Sequence, residues 1–455
     1  MKILSPTDAL FLMAEHRRQP MHIAGLQIFA LPDGAPKTFI RDLVQDMRRH
    51  SEPSAPYNQR PVFRGTWFWR EDEYFEIDHH LRHLSLPAPG RIRELLEMVS
   101  RLHSGLIDRS RPLWEVSVIE GLADGRFAIY TKVHHSVFDG VSATLEVIRS
   151  LSEDPTQRAM PPVWARIPSR RKRSVALAPS VSPVNGLIHA IGTNFRIVPG
   201  AVRGVLDLLR RSRGKPADAT PYQAPPTMLN VHISSSRRFA AQSYPLARIK
   251  AVAKAAGGTI NDVALAMCSG AIRSYLESKD ALPKAPLISM VPVSVRAADS
   301  PEGGNQVSVI LANLATHIVD PAERLQAVTA STRRAKDRMA KMNRVEQLAY
   351  AATGLSPMAF TSILGLDRIR PAFNVVISNV PGSKNPLYLN GARLEETYPI
   401  SIPIDGQALN ITLTSYCDSL AFGYTACRRS VPNMQRLLDF TEQALSELEA
   451  ALGLA

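Results

Sequence analysis

The residue types best suited to chemistry lie close together in one segment, where His134 and His135 are followed by Asp139 and Gly140. An imidazole has a pKa of about 6.5, so at neutral pH it is mostly unprotonated and can accept a proton as a general base. The preceding residues 127–133 are mostly apolar and predict a strand, in which adjacent side chains point to opposite faces. Only one of the two histidines can therefore enter a given cavity.

The Asp-Gly pair is expected at the turn between this strand and a helix over 141–151. We expect Gly140 to adopt a backbone conformation that a β-carbon would forbid. Asp139 can cap the helix or pair with an arginine. For an isolated His-His pair a structural role in the core would be the more common outcome. The complete HHxxxDG pattern at the end of a strand favours catalysis instead.

Other chemistries lack their motifs. The sequence contains no HExxH, no G-x-S-x-G, no P-loop and no G-x-G-x-x-G, which argues against a zinc protease, a serine hydrolase and nucleotide or hydride chemistry. The cysteines are scattered and too few for a disulfide framework or a Cys-x-x-Cys zinc site (Cys268, Cys417, Cys427). A second histidine cluster lacks a carboxylate or cysteine framework, so a surface or packing role is expected (His79, His80, His83). We therefore expect neither a metal nor a cofactor.

Composition is that of a globular chain of more than one domain, with 455 residues, 45% hydrophobic and 21% charged. The first 19 residues do not resemble a signal peptide, and the longest uncharged stretch, 347–366, is too rich in Gly, Ser, Thr and Pro for a membrane span. The cysteine usage fits a reducing, cytoplasmic location. The formal net charge is +13, and residues 165–215 alone hold eleven lysines and arginines against one acid.

Strand and helix patterns divide the chain into two α/β halves, 1–153 and 227–455, joined by a Pro-rich basic linker over 154–226. Within the linker, apolar residues recur at spacings of three and four over 187–209 and predict an amphipathic helix with a break at 199–200. We find no internal repeat of 20–50 residues, which sets solenoids and propellers aside.

The HHxxxDG segment resembles the motif of the coenzyme A-dependent acyltransferase superfamily. Further segments resemble motifs of the bacterial wax ester synthase/diacylglycerol acyltransferase family within it, and they extend along essentially the whole chain. These segments are Leu-Ser-Pro-Thr-Asp at 4–8, Pro-Leu-Trp-Glu at 112–115, Asn261-Asp262, and Asn-Val-Val-Ile-Ser-Asn-Val-Pro-Gly at 374–382.

This resemblance implies two chloramphenicol-acetyltransferase-like domains with a tunnel between them and His135 as the general base at its centre. The enzyme would transfer a long-chain acyl group from acyl-CoA, a substrate rather than a cofactor, to a fatty alcohol or a diacylglycerol. Reaction would occur in a ternary complex without an acyl-enzyme. Asp139 would be structural and held by an arginine, for which Arg296 is a candidate. The oxyanion donor stays open between a backbone N–H near Gly140, the Ser136 hydroxyl and a side chain of the second half.

Substrate contacts are expected from Asn261, Ser378 and Asn379, each with a simpler alternative. Asn261 and Asp262 lie in a predicted first helical turn, where an acidic residue caps the helix, and this capping role is the alternative to a site-facing Asn261. Ser378 and Asn379 precede Pro-Gly and can belong to an ordinary turn. Trp114 is expected in the core rather than in contact with a ligand.

The basic linker has three interpretations: a solvated connector, an element that docks on anionic lipid, or a source of attraction for the phosphates of coenzyme A. We favour peripheral attachment to the inner membrane or to lipid inclusions, and we expect no nucleic acid partner because no nucleic-acid motif accompanies the charge. Two rival functions remain: a condensation-type enzyme that uses carrier-protein thioesters, and a non-catalytic lipid-surface protein.

Overall fold

The computed structural model describes residues 2–165, 219, 223–295, 306–342 and 371–454. Two mixed six-stranded sheets carry the fold of these ranges, as expected for a two-domain α/β protein. The first sheet has the strand order β12-β13-β2-β7-β6-β5, where the strands are β2 (His22–Ala30), β5 (Leu81–Ser85), β6 (Trp114–Glu120), β7 (Phe127–His134), β12 (Tyr388–Leu389) and β13 (Ala392–Ile400).

The second sheet has the order β10-β9-β11-β14-β15-β8, with β8 (Arg237–Pro245), β9 (Ile288–Val295), β10 (Gln306–Asn313), β11 (Val375–Val380), β14 (Leu409–Tyr416) and β15 (Ser419–Cys427). Strand β11 is parallel to both of its neighbours, β9 and β14. Strands β14 and β15 form an antiparallel hairpin with its turn at Cys417-Asp418.

Eight helices pack around these sheets within the described ranges: α1 (Pro6–Ala14), α2 (Phe39–Arg49), α3 (Ile92–Ser104), α4 (Gly140–Arg149), α5 (Leu246–Ala255), α6 (Ile260–Glu277), α7 (Pro321–Ala340) and α8 (Arg436–Ala451). The apolar α6 is almost wholly buried against α7, α8 and the second sheet, where the largest core lies. Its first turn forms a capping box, in which the side chains of Thr259 and Asp262 each accept from the other residue's backbone N–H.

Chain order and sheet membership do not coincide. Strand β13, from the second half of the chain, pairs with β2 and so completes the first sheet together with β12. The division at 153 and 227 therefore stays a prediction about chain segments, because the first sheet takes strands from both sides of it. The two sheets approach each other closely where β15 crosses β13. A Cβ at Gly423 of β15 would collide with the backbone oxygen of Pro399 in β13, so only glycine permits this approach.

A small third sheet has the strand order β1-β4-β3. It consists of β1 (Lys2–Ile3), β3 (Gln59–Arg64) and β4 (Thr66–Glu71). The sequence analysis assigns neither this sheet nor α1, α7, β8 and β13. Residues Ile77–His79 form a 3-10 turn, and β5 begins at Leu81.

None of the helices in the described ranges is both long enough and apolar enough to cross a bilayer. The basic linker from 166 to 218 and from 220 to 222, including the predicted amphipathic helix, lies outside the described residues.

Candidate active site

The end of strand β7 places His135 at the edge of a large cavity. Its backbone N–H donates to the Met21 oxygen at 2.8 Å, which extends the pairing of β7 with the chain entering β2. Its ring stacks on Phe11 of α1, with ring centroids 4.1 Å apart and planes 19° from parallel. The imidazole is therefore held between a strand end and a helix, with its open side toward the cavity.

The cavity has a volume of about 680 Å³ and lies between the two sheets. One wall is the face of β2 and β7 that carries Ile23, Thr131 and Val133, and α4 lies beside this wall. The opposite wall comes from β9, β11 and β14 of the second sheet. Most lining side chains are apolar, and the volume suits a substantial organic ligand. This arrangement matches the tunnel between two halves that the family resemblance implies.

The pKa of His135 is lowered to about 4, mainly because the surrounding protein desolvates the ring and disfavours its charged form. The charge of Asp139 and a hydrogen bond to the backbone of His135 itself oppose this shift, and the neighbouring His134 adds to it. At neutral pH the ring is consequently uncharged. A neutral imidazole has one ring nitrogen without a proton, and that nitrogen can accept one.

His134 points to the opposite side of β7, as strand alternation predicts, and its side chain is fully buried. Its Nδ1 accepts from the Ser136 hydroxyl at 2.7 Å and from the Ser136 backbone N–H at 3.1 Å. Its Nε2 lies 3.3 Å from Oε2 of Glu15. His134 thus fixes the turn after β7 rather than facing the cavity. Ser136 is buried too, and its bond to His134 removes it from the candidates for an oxyanion donor.

Glu15, at the end of α1, ties this turn to the rest of the site, and the sequence analysis did not identify it. Its side chain is 2% exposed, and its carboxylate accepts from the Arg109 Nε at 2.8 Å and from the Met21 N–H at 3.0 Å. Burial favours the protonated acid, but the hydrogen bond and charge of His134, the Met21 N–H and Arg109 outweigh it and hold the pKa at about 2. A signal for α1 was present in the sequence, where Ser5 caps the helix and Pro6 begins it.

Asp139 caps α4, with its Oδ1 accepting from the Ser142 N–H at 2.7 Å. Gly140 begins the helix, and here the expectation was wrong. Its φ is not in the left-handed region, and an added Cβ would meet no atom within 4 Å. Because Gly140 has no side chain, the cavity wall is open at this position. The effect of the glycine is therefore on the space in the cavity and not on the backbone conformation. Arg296, the candidate partner of Asp139, lies outside the described residues.

The Pro-Leu-Trp-Glu segment leads into β6, the strand beside β7, and its side chains pack the core next to the site. Trp114 is buried, donates from Nε1 to the Tyr57 oxygen at 2.8 Å and stacks on Trp164, as expected of a core residue, although part of it reaches the cavity wall. Glu115 holds the buried Lys132 ammonium on the neighbouring strand at 2.7 Å. Burial lowers the pKa of Lys132, and Glu115 opposes that shift.

Of the predicted substrate contacts, Ser378 and Asn379 of β11 line the cavity, and Asn261 is not among its described lining residues. The Ser378 hydroxyl bonds the Thr412 hydroxyl at 3.0 Å on the neighbouring strand. Asn261 lies in the first turn of α6, and no described residue of that helix reaches the cavity. A Cβ at Gly382 would collide with the Ser415 oxygen, which accounts for the glycine that closes this motif.

The second histidine cluster shows the packing and surface contacts that the sequence suggested. His80 stacks on Trp114 and its Nδ1 lies 2.8 Å from the Trp114 oxygen, while His79 pairs with Glu76 at 2.8 Å on the surface. Within the described ranges, no three His, Cys, Asp or Glu side chains converge in a way that could hold a metal ion.

Comparison with family models agrees with the motifs. The model of the wax ester synthase/diacylglycerol acyltransferase catalytic domain matches residues 4–264, and the model of the WS/DGAT C-terminal domain matches residues 303–449. This chain belongs to the wax ester synthase/diacylglycerol acyltransferase family. The catalytic-domain match contains the HHxxxDG segment and the Pro-Leu-Trp-Glu segment, and the C-terminal match contains 374–382.

Full-length relatives of the wax ester synthase/diacylglycerol acyltransferase family align end to end with the chain. A putative diacylglycerol O-acyltransferase of Mycobacterium tuberculosis is 47% identical over 99% of this chain and 100% of its own length. The O-acyltransferase WSD of Acinetobacter baylyi is 45% identical over 100% of this chain and 98% of its own. The solved wax ester synthase/diacylglycerol acyltransferase from Marinobacter aquaeolei is 45% identical, covers both chains completely and superposes with a TM-score of 0.80.

A more distant likeness concerns the fold alone. The first condensation domain of the calcium-dependent antibiotic synthetase is 16% identical, covers 100% of this chain and 97% of its own, and has a TM-score of 0.58. The predicted chloramphenicol-acetyltransferase-like architecture is therefore confirmed, together with membership of the wax ester synthase/diacylglycerol acyltransferase family.

Proposed function

We propose that this chain is an O-acyltransferase that moves a long-chain acyl group from acyl-CoA to a fatty alcohol or a diacylglycerol, with His135 as general base. The observation that carries the proposal is a neutral imidazole facing a large, mainly apolar cavity between the two sheets. The names of two relatives, a putative diacylglycerol O-acyltransferase and a wax ester synthase/diacylglycerol acyltransferase, supply the acceptor classes.

In the proposed reaction the acceptor hydroxyl gives its proton to the free ring nitrogen of His135 as its oxygen attacks the thioester carbon. The tetrahedral intermediate collapses with cleavage of the carbon–sulfur bond, and the departing thiolate of coenzyme A takes the proton from the imidazolium. The products are an ester and free coenzyme A, and the ring returns to its neutral state. Two long substrates held together in one cavity make the attack effectively unimolecular.

The negative charge that develops on the thioester oxygen needs a hydrogen-bond donor. We infer that it lies at the first turn of α4, because Gly140 lines the cavity beside His135 and a helix N-terminus favours negative charge. Ser378 and Asn379 on the opposite wall stay predicted substrate contacts, since both line the same cavity.

The test of this proposal is the release of free coenzyme A from palmitoyl-CoA, with hexadecanol or a diacylglycerol as acceptor. We expect wild-type turnover with at least one acceptor and its loss in His135→Ala with the fold intact. The matched control is His79→Ala, which removes an exposed histidine that pairs only with Glu76 at the surface and should leave turnover unchanged. Turnover retained in His135→Ala, or none in the wild type with either acceptor, would refute the proposal.

We also propose that the protein takes its insoluble acceptor from an anionic lipid surface. Besides the linker, the outer face of the small sheet supports this. Ile3, Phe68 and Val62 are direct cross-strand neighbours and so share one face, and Ile3 is 63% exposed. Exposed Arg64 follows Phe63, itself 61% exposed, at the tip of the β3–β4 hairpin. Apolar and aromatic side chains beside arginines suit a membrane interface.

Flotation with vesicles that contain phosphatidylglycerol tests this part of the proposal. We expect wild-type protein to float, and the double variant Ile3→Ser, Phe68→Ser, which changes two cross-strand neighbours on this face, to bind clearly less. Val319→Ser is the matched control, because Val319 is 72% exposed in a different part of the fold. Flotation that is unchanged in the double variant would exclude this face as the docking surface, and a wild type that does not float would exclude lipid docking altogether.

A further inference from the structure

Helix α4 presents an apolar face that no protein element covers completely. None of its residues is fully buried, although the helix contacts β2 of the first sheet and β11 of the second. Ala143 and Val147 lie one turn apart on one face of α4, Leu151 follows two residues after the helix ends, and all three line the large cavity. An apolar stripe left uncovered within a fold is a surface that a ligand can complete.

A second, smaller cavity of about 40 Å³ adjoins the far end of this face. Five described residues line both cavities and therefore lie between them: Gln27, Thr131, Val147, Leu151 and Val163. The side chains beyond this boundary are mainly apolar and include Met47, Ile129 and Trp164. The path from the HHxxxDG segment along α4 to the second cavity, called the route below, passes these five boundary residues and ends against the core of the first half.

The length of this route can be compared with that of a hydrocarbon chain. Leu151 lies eleven positions after Gly140, and at the helical rise of about 1.5 Å per residue this corresponds to about 16 Å. With carbon–carbon bonds of about 1.5 Å, an extended alkyl chain advances roughly 1.3 Å per carbon, so about 12 carbons span that distance. Longer chains must enter the second cavity, past Val147 and Leu151.

We propose that the second cavity receives the end of a substrate alkyl chain that lies along α4, and that Val147 and Leu151 set the chain length accepted. The inference rests on the proposed acyl transfer and deepens it. The ligand chemistry is a long saturated hydrocarbon, which either the acyl donor or the alcohol could supply. Each additional methylene that finds apolar space should raise kcat/KM by about fourfold, and each one that does not fit loses that gain.

The experiment is a matrix of rates for acyl-CoA donors of 10 to 20 carbons with one fixed alcohol, and for alcohols of 10 to 20 carbons with one fixed donor. We expect Val147→Ala and Leu151→Ala to move the optimum toward longer chains, and Val147→Phe to move it toward shorter ones. The series that shifts identifies which substrate's chain lies along α4. Ile148→Ala is the matched control, because Ile148 is the next residue on the same helix and lines only the large cavity.

An unchanged optimum in both series, in variants that still turn over, would overturn the inference while leaving the proposed function intact. Affinities for S-alkyl coenzyme A thioethers and for free alcohols of the same lengths give a readout that needs no turnover. A change in the length dependence of these affinities in Val147→Phe and Leu151→Ala, but not in Ile148→Ala, supports the site even in an inactive preparation. The same length dependence in all variants rejects it.

Discussion

From the lowered pKa of His135 we predict the acid limb of the pH profile of kcat/KM. The base must be neutral to accept a proton, and a pKa of about 4 keeps it neutral well below physiological pH. At pH 5.5 a ring with this pKa is about 97% neutral, whereas a ring with the ordinary value of about 6.5 is only about 9% neutral. We therefore expect kcat/KM at pH 5.5 to stay within a few per cent of its value at pH 7.5, rather than to fall about tenfold.

The assay should quench the reaction at each pH and quantify the ester by chromatography, since thiol reagents lose reactivity in acid. Asp139→Asn gives a second check, because the Asp139 charge raises the pKa of His135 and its removal should move the acid limb to still lower pH. An acid limb centred near pH 6.5 in folded wild-type protein would refute the argument that burial holds the ring neutral.

Stability must be followed in the same samples, because other buried histidines also titrate. His22 and His103 have lowered pKa values, that of His103 about 3, chiefly because both are buried. Their folded pKa values lie below the unfolded value, so their contribution to stability is complete above about pH 6.5 and is lost as the pH falls, by about 1.4 kcal/mol per unit for each group. Circular dichroism at each pH, and recovery of activity on return to pH 7.5, separate unfolding from protonation of His135.

Two further predictions concern the framework of the site. Gly423→Ala should lower the free energy of unfolding by about 1–3 kcal/mol, because its Cβ would collide with Pro399. Gly105→Ala is the control, because its Cβ would meet only an ordinary van der Waals contact and should change this free energy little. Thermal unfolding compares the two variants, and equal melting temperatures would contradict the packing argument. Glu15→Gln should lower the free energy of unfolding by about 2 kcal/mol, because the guanidinium of Arg109 loses its charged partner. A urea unfolding midpoint equal to that of the wild type would show that this ion pair does not stabilise the fold.

Features fixed by local sequence could be predicted. Strand β7, the opposite orientations of His134 and His135, and the capping of α4 by Asp139 all depend on residues within a few positions of one another. The same holds for the capping box of Thr259 and Asp262. Alternation along a strand and capping at a helix start are short-range rules, so the sequence alone was sufficient.

Contacts between distant residues could not be predicted in this way. Glu15 meets Arg109 across 94 positions, and no periodicity in either segment indicates the other. The role of Gly140 was misassigned for a related reason. The sequence shows that a side chain is missing but not whether the backbone or the surrounding space requires it, and here the space beside α4 is what the structure shows.

The pairing of β13 with β2 has a consequence for synthesis of the chain on the ribosome. Gln27 and Thr397 lie side by side but are 370 positions apart. At about 5–20 residues per second, β2 waits roughly 20–70 seconds for its partner after it is made. Until then one edge of β2, whose sequence HIAGLQIFA contains no Lys, Arg, Asp or Glu, has no strand beside it. An uncharged open edge is a site for pairing between chains. The nascent protein thus carries this risk of aggregation until β13 has been translated, and the first sheet can close only after that point.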